Sequence, residues 1–190
     1  MSSEFVEPTN EFLGNRDWGQ SIAATLNMKQ GIKVAGDNGD FYIPLTEERI
    51  NQNLRHFFNL LNQECFGPNW RRKGKRLNVL SVWERGARDH IHLRIRLLRI
   101  RLPFAPPTPP TTFDELKNDS SEILVFRRLI LACWENTDFG HGKNHISIFC
   151  DDRWNDYLTK RKTKGDYGLS FLWENTYLPA KASPLPAKAL

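Results

Sequence analysis

The chain has little cysteine: three residues among 190, Cys65, Cys133 and Cys150, far apart and never in a CxxC pair. That spacing argues against a zinc knuckle and a disulfide framework, and leaves buried, reduced thiols as the expectation. Long apolar runs are missing as well. No stretch approaches the ~20 residues a membrane helix needs. The N-terminal Met1-Ser2-Ser3-Glu4-Phe5-Val6-Glu7-Pro8 lacks the basic and apolar pattern of an export signal, so a cytoplasmic location with no membrane partner is expected. Also absent is GxxxxGK[ST]. Its nearest approach, Gly140-His141-Gly142-Lys143-Asn144, fails the pattern, so no recognisable nucleotide-driven motor is encoded.

What is present suffices for one core. A hydrophobic content of 39% with 12% aromatics makes a single domain over residues 18–177 the natural division, with a polar arm at 1–17 and a nearly self-repeating, unstructured tail at 178–190. The net charge of +5 suits a polyanionic partner, and equally a merely soluble surface.

Periodicity orders the elements. Residues 18–28 read as a first strand, and Gly36-Asp37-Asn38-Gly39-Asp40 as a turn between short extended pieces. Thr46 caps a helix whose first turn holds Glu47 and Glu48 and whose apolar stripe is Ile50, Leu54, Phe57, Phe58 and Leu61; Gly67-Pro68 ends it. Residues 77–84 form a second strand, joined by a short connection at 85–89 to the strand that follows, so the two make an antiparallel hairpin. The proline-rich stretch 103–110 forms an extended loop. A helix over 121–135 turns Ile123, Phe126, Leu129, Ile130 and Cys133 inward, followed by a strand at 145–150, a short helix at 151–162 and a last strand at 169–173. Strand, helix, strand, strand, helix, strand is a split βαβ pattern: an α+β, ferredoxin-like antiparallel sheet with helices on one face, the other face open to a substrate, and a C-terminal helix bearing Tyr157.

The chemistry concentrates in Asp89-His90-Ile91-His92-Leu93-Arg94-Ile95-Arg96. Ile91, Leu93, Ile95 and Leu97 alternate with His90, His92, Arg94 and Arg96, so one face is apolar and the other can hold metal or phosphate. A bulge near Leu97-Leu98 would keep Arg99 and Arg101 on the basic side. Two imidazoles at i and i+2 need a third, harder ligand, and Glu84 would sit directly opposite His90 and diagonal to His92. A one-residue slip would turn that carboxylate away. On the C-terminal helix Lys160 follows Tyr157 by three residues, so a phenol and an ammonium share a face and can approach one phosphate together. Arg94, Arg96 and Arg99 extend the histidine face as DNA contacts. The cations of 71–76 and of 160–164, Lys164 among them, would flank it as a phosphate channel.

Each piece also has a plain structural explanation. An isolated HxH is chance or surface in roughly half of cases. A tyrosine on an amphipathic helix is usually core. Glu84 can pair with Arg85 or Arg88, and a basic run is most often solvated. Trp70, Trp83 and Trp154 are candidates to stack a base but are more often core, His141 and His145 fit a glycine-rich turn, and His56 a helix surface.

In combination these stretches resemble the HUH endonucleases, specifically rolling-circle replication initiators of small plasmids and single-stranded DNA phages. Ala24-Thr25-Leu26-Asn27 looks like the first family motif, His90-Ile91-His92 the second and Tyr157-Leu158-Thr159-Lys160 the third, spanning residues 18 to about 173. The resemblance implies an RNA-recognition-motif-like sheet and Mg²⁺ or Mn²⁺ bound by His90 and His92, with Glu84 as third ligand. It implies Tyr157 as nucleophile and Lys160 as its helper, with a 5′-phosphotyrosine and a free 3′ hydroxyl as products. The partners implied are single-stranded DNA at an origin hairpin and a host helicase and polymerase. Tyr167 lies beyond Gly165, so one nucleophile is expected. A transposase or relaxase with the same chemistry is the nearest alternative, and a non-catalytic DNA-binding protein the more distant one.

Overall fold

The computed structural model describes residues 11–13, 15, 16, 18, 21–37, 39–85, 91–98, 122–147 and 171–179, with the backbone alone at Arg85, Ile91, His92, Arg94, Leu98 and residues 122–124. In chain order these form β1 (Ser21–Asn27), β2 (Gly31–Val34), β3 (Phe41–Pro44), α1 (Glu47–Phe66), β4 (Val79–Arg85), β5 (Ile91–Leu98), α2 (Glu122–Glu135) and β6 (His145–Ser147). A 3-10 turn at Trp173–Asn175 follows. Four strands make one antiparallel sheet in the order β4-β5-β1-β6, with the histidine strand β5 inside it; β2 and β3 pair separately around the expected turn. The class is α+β. Among the described residues no helix is long and apolar enough to cross a membrane.

Both helices lie on one face of the sheet because both have a single apolar stripe. Thr46 caps α1 by accepting from the Arg49 N–H at 3.3 Å, and Gly67 closes it with its N–H on the Gln63 carbonyl at 2.7 Å. Ile50, Leu54, Phe57, Phe58 and Leu61 are buried as the spacing predicts. They meet Phe126, Ile130, Cys133 and Trp134 of α2 and the alternate residues Ile22, Ala24 and Leu26 of β1 and Leu93, Ile95 and Leu97 of β5. At roughly 1.5–3 kcal/mol per large side chain removed from water, this layer dominates the stability of the fold. After α2 the chain turns tightly at Gly140, where a Cβ would come within 2.0 Å of the Trp134 carbonyl oxygen. Only glycine permits that approach.

The second face departs from the expectation of an open surface. Leu13, Trp18, Leu80, Val82 and Phe171 form a second apolar cluster there, with Leu178 packed against it. The N-terminal arm expected to be loose therefore contributes Leu13, fully buried, next to Trp18 at its end, 4% exposed. Both find apolar surface that the two helices leave uncovered on the far side of the sheet.

The C-terminal end also differs. In place of a last strand, Phe171 makes an isolated bridge to Val82 and Tyr177 another to Val79, on either side of the 3-10 turn. Phe171 joins the second cluster while Leu172 enters the main core, so the segment straddles the β4 edge. That covers backbone groups an edge strand would otherwise present. The tail is docked where it begins: the Pro179 carbonyl accepts from Arg16 Nη1 at 3.3 Å. The β5 ladder runs without a bulge through Leu98, pairing it with Ser21. The proline-rich stretch, the connection at 86–90, the helix expected at 151–162 and residues 180–190 lie outside the described residues.

Candidate active site

The ladders bring two of the three motifs into one row. Glu84 of β4 is the cross-strand partner of His92 of β5, and Asn27 of β1 is the partner of His92 on its other side. Turn length places Glu84 opposite His90 instead. The pairing of Arg85 with Ile91 moves the register by two residues rather than one, and a shift of two keeps Glu84 on the strand parity of the histidines. Its side chain is only 3% exposed. The next row joins Val82, Arg94, Thr25 and His145, and the one after it Leu80, Arg96, Ala23 and Ser147.

Arg96 occupies a different environment from the phosphate-facing one assigned to it. It is 2% exposed, its Nε donates to Ser21 Oγ at 3.0 Å, and its guanidinium lies 4.8 Å from the Trp18 ring centroid. Hydrogen bonding and cation–π stacking offset the cost of burying the charge. In this arrangement Arg96 fastens the N-terminal segment to the sheet. Nothing in the alternation of β5 distinguishes it from Arg94; the signal lies in β1, where Ser21 falls on the matching parity.

Asn27, singled out only as part of Thr-Leu-Asn, is a structural hub. Its Nδ2 donates to the Lys143 carbonyl, its N–H donates to Asn144 Oδ1 at 2.9 Å, and its carbonyl accepts from Trp134 Nε1 at 3.0 Å and the His141 N–H at 3.1 Å. The end of β1 beside His92 is thus locked to α2 and to the turn that leads into β6. His141 belongs to that turn, accepting from the Lys143 N–H at Nδ1 at 3.1 Å, and His145 is exposed. His56 is exposed on α1.

Of the candidate stacking residues, the two that are described, Trp70 and Trp83, are inward. Trp70 is 7% exposed and Trp83 packs against the main core. The basic run at 71–76 precedes β4 and so lies at the end of that strand away from Glu84, not beside the histidine row. Cys65 and Cys133 are buried free thiols. Burial, followed by the neighbouring Cys133 thiol and Glu64, pushes Cys65 up to about 12; burial and Glu64 push Cys133 to about 11. Neither is a nucleophile near neutral pH.

His90, Tyr157, Lys160, Arg99, Lys164 and Trp154 lie outside the described residues. Among the described residues no three His, Cys, Asp or Glu side chains gather into a metal-sized cluster. Comparison with family models, curated proteins and solved structures returned no match.

Proposed function

We propose that the chain is a metal-dependent DNA endonuclease and strand transferase that initiates rolling-circle replication by nicking and rejoining single-stranded DNA. The observation that carries this reading is the row Glu84, His92, Asn27, which sets a carboxylate and the first-motif asparagine on either side of the second-motif histidine. The strand order β4-β5-β1-β6, with both helices on one face, supports assignment to the ferredoxin-like, RNA-recognition-motif-like group. Tyr157 is assigned to a C-terminal helix in the same reading.

Two imidazoles and one carboxylate make a mixed nitrogen and oxygen donor set; the resemblance assigns it Mg²⁺ or Mn²⁺, whose preference for oxygen would be met by Glu84, water and phosphate oxygens, and Glu84 has the strand parity such a set requires. His90, His92 and Glu84 would hold the ion, which supplies positive charge that makes the scissile phosphorus more electrophilic. Tyr157 yields its proton to water and its Oη attacks phosphorus, forming a Tyr–O–P bond as the bond to the 3′ oxygen breaks. Lys160 favours the phenolate and protonates the departing oxygen. Arg94, Arg99 and Lys164 hold the flanking phosphates. A 3′ hydroxyl attacking the phosphotyrosine reverses the linkage and rejoins the strand. The free 3′ end is extended by a host polymerase behind a host helicase, and the work belongs to the cytoplasm.

The test is formation of a detergent-stable adduct between the protein and a labelled pool of random-sequence single strands in Mn²⁺. Adduct is expected from the unsubstituted protein, none from Tyr157→Phe, and at least about tenfold less from Glu84→Gln, the equivalent of about 1.4 kcal/mol in the barrier. No adduct at all, or an adduct that persists in Tyr157→Phe, overturns the reading.

A further inference from the structure

Five cations stand in one six-residue turn. Arg71, Arg72, Lys73, Lys75 and Arg76 are all exposed, and among the described residues none of them pairs with a carboxylate. The turn is closed by its own backbone hydrogen bonds. The N–H groups of Trp70, Lys73, Gly74 and Lys75 are bonded to the carbonyls of Gly67, Asn69, Arg71 and Trp70 respectively, at 2.9–3.1 Å. Gly74 supplies the φ of +62° that reverses the chain.

Buried beneath it, Trp70 holds the Arg71 guanidinium 5.0 Å and that of Arg76 5.7 Å from its ring centroid, and Arg76 also lies 4.8 Å from the ring of Tyr177. Where these side chains hydrogen-bond, they use neutral amides: Arg71 donates to Asn59 Oδ1 at 2.8 Å and Arg72 to Asn69 Oδ1 at 2.6 Å. The partners order the cations and leave the charge uncompensated. Like charges this close repel one another, and an ordered turn that keeps them together is suited to an anion that offsets the repulsion.

We infer that the 71–76 turn is a docking site for the phosphodiester backbone of duplex nucleic acid, separate from the Glu84 row. Guanidiniums stacked by their faces leave N–H edges free for in-plane contact with phosphate oxygens. The turn carries no exposed aromatic or large aliphatic side chain, since Trp70 is 7% exposed and the exposed large apolar residues lie elsewhere. Unstacked bases and lipid chains both require such a platform, whereas a duplex backbone does not.

The turn adjoins Val79, five residues along β4 from Glu84, a separation of about 17 Å at roughly 3.3 Å per residue. That is about five base-pair steps at ~3.4 Å each. This placement, resting on the nuclease reading for what happens at the Glu84 end, makes the turn the anchor of a double-stranded segment flanking the strand that is cut.

The test is fluorescence anisotropy of the full chain with a random-sequence DNA duplex and with a single strand of the same length, across a salt series. In R72A/K73A/K75A, which leaves the Trp70 stack intact, the slope of log K against log salt for the duplex should be shallower by about 2–3, at ~0.9 for each phosphate no longer neutralised. Duplex affinity at low salt should fall at least about tenfold, and single-strand affinity less. The charge-keeping R72K/K75R should bind the duplex as the unsubstituted chain does, and an unchanged or higher thermal midpoint in the triple variant establishes that it is folded. Equal slopes in the unsubstituted chain and the triple variant overturn the inference. So does a loss that appears only on phosphatidylserine vesicles or on the single strand. Adduct formation by the unsubstituted protein on short single strands reads the nuclease independently, so either proposal can fail alone.

Discussion

Cys65 and Cys133 show what burial does to a single side chain. Both thiols belong to the layer between the helices and the sheet, and the ionised form of each is disfavoured there, with values pushed from 9.0 to about 12 and about 11. The sign follows from linkage. Below pH 9 both folded and unfolded chains keep these protons and the contribution to stability is whole; above it the unfolded chain ionises first, so stability is lost as the pH rises toward 11–12. The thermal midpoint should therefore fall between pH 8 and 10.5, and fall less steeply in C65A/C133A, whatever the offset caused by the cavities. Parallel pH profiles for the two proteins would show that the thiols are not responsible. The absence of any CxxC pair in the chain makes buried, reduced thiols the expectation, and Cys65 and Cys133 are both free and buried. Their mutual influence is not legible in that spacing, because it arises from two helices meeting face to face.

Among the elements, α1 and the β4–β5 hairpin are the most legible. Capping by Thr46, the stop at Gly67 and the apolar stripe are local signals, and all three are where the spacing puts them. What periodicity misses on α1 is the pair of buried amides. Asn62, 3% exposed, donates from Nδ2 to the Phe58 carbonyl at 2.7 Å and accepts the Leu77 N–H at Oδ1 at 2.8 Å, fastening the entry of β4 to the helix. Asn53 does the same for the turn after α2 by donating to Thr137 Oγ1 and accepting from the Phe139 N–H.

Asn62→Leu leaves the Leu77 N–H buried without an acceptor, and should cost about 1–3 kcal/mol in urea unfolding with an unchanged slope. A loss below ~0.5 kcal/mol would mean that water or a shifted backbone replaces the amide. For the hairpin, alternation specifies which residues share a parity, and Glu84 and His92 do share one. The exact partner depends on where pairing begins, which turn length alone does not set.

At the scale of the whole molecule, the described residues nearest the two termini, within 13–18 and 171–179, come together on one face of the sheet. Arg16 reaches Pro179, Trp18 covers Arg96, and Phe171 and Leu178 close over Leu80 and Val82. Trp18 is the largest side chain in that cluster, its indole Nε1 donating to the Leu13 carbonyl at 3.2 Å. Trp18→Ala should destabilise the chain by roughly 3–5 kcal/mol. It should also raise amide exchange in β4 more than in α1, as read by mass spectrometry. Uniform acceleration would show that the second cluster unfolds together with the main core and is no separate unit.

The division between what is written in the chain and what assembly decides follows the range of the interactions. Helix caps, apolar stripes, turn residues and strand alternation act between near neighbours, so the α+β class, the order of elements from β1 through β6, the pairing of β4 with β5 and the helix-covered face could be read directly. The covering of the opposite face could not, because it joins Ser21 to Arg96 across 75 positions and Arg16 to Pro179 across 163. Nor could the seat of the basic turn, which depends on Trp70 and Tyr177 closing over one guanidinium from distant parts of the sequence. Contacts of that span are chosen by packing and charge burial once the sheet exists, and no local pattern encodes them.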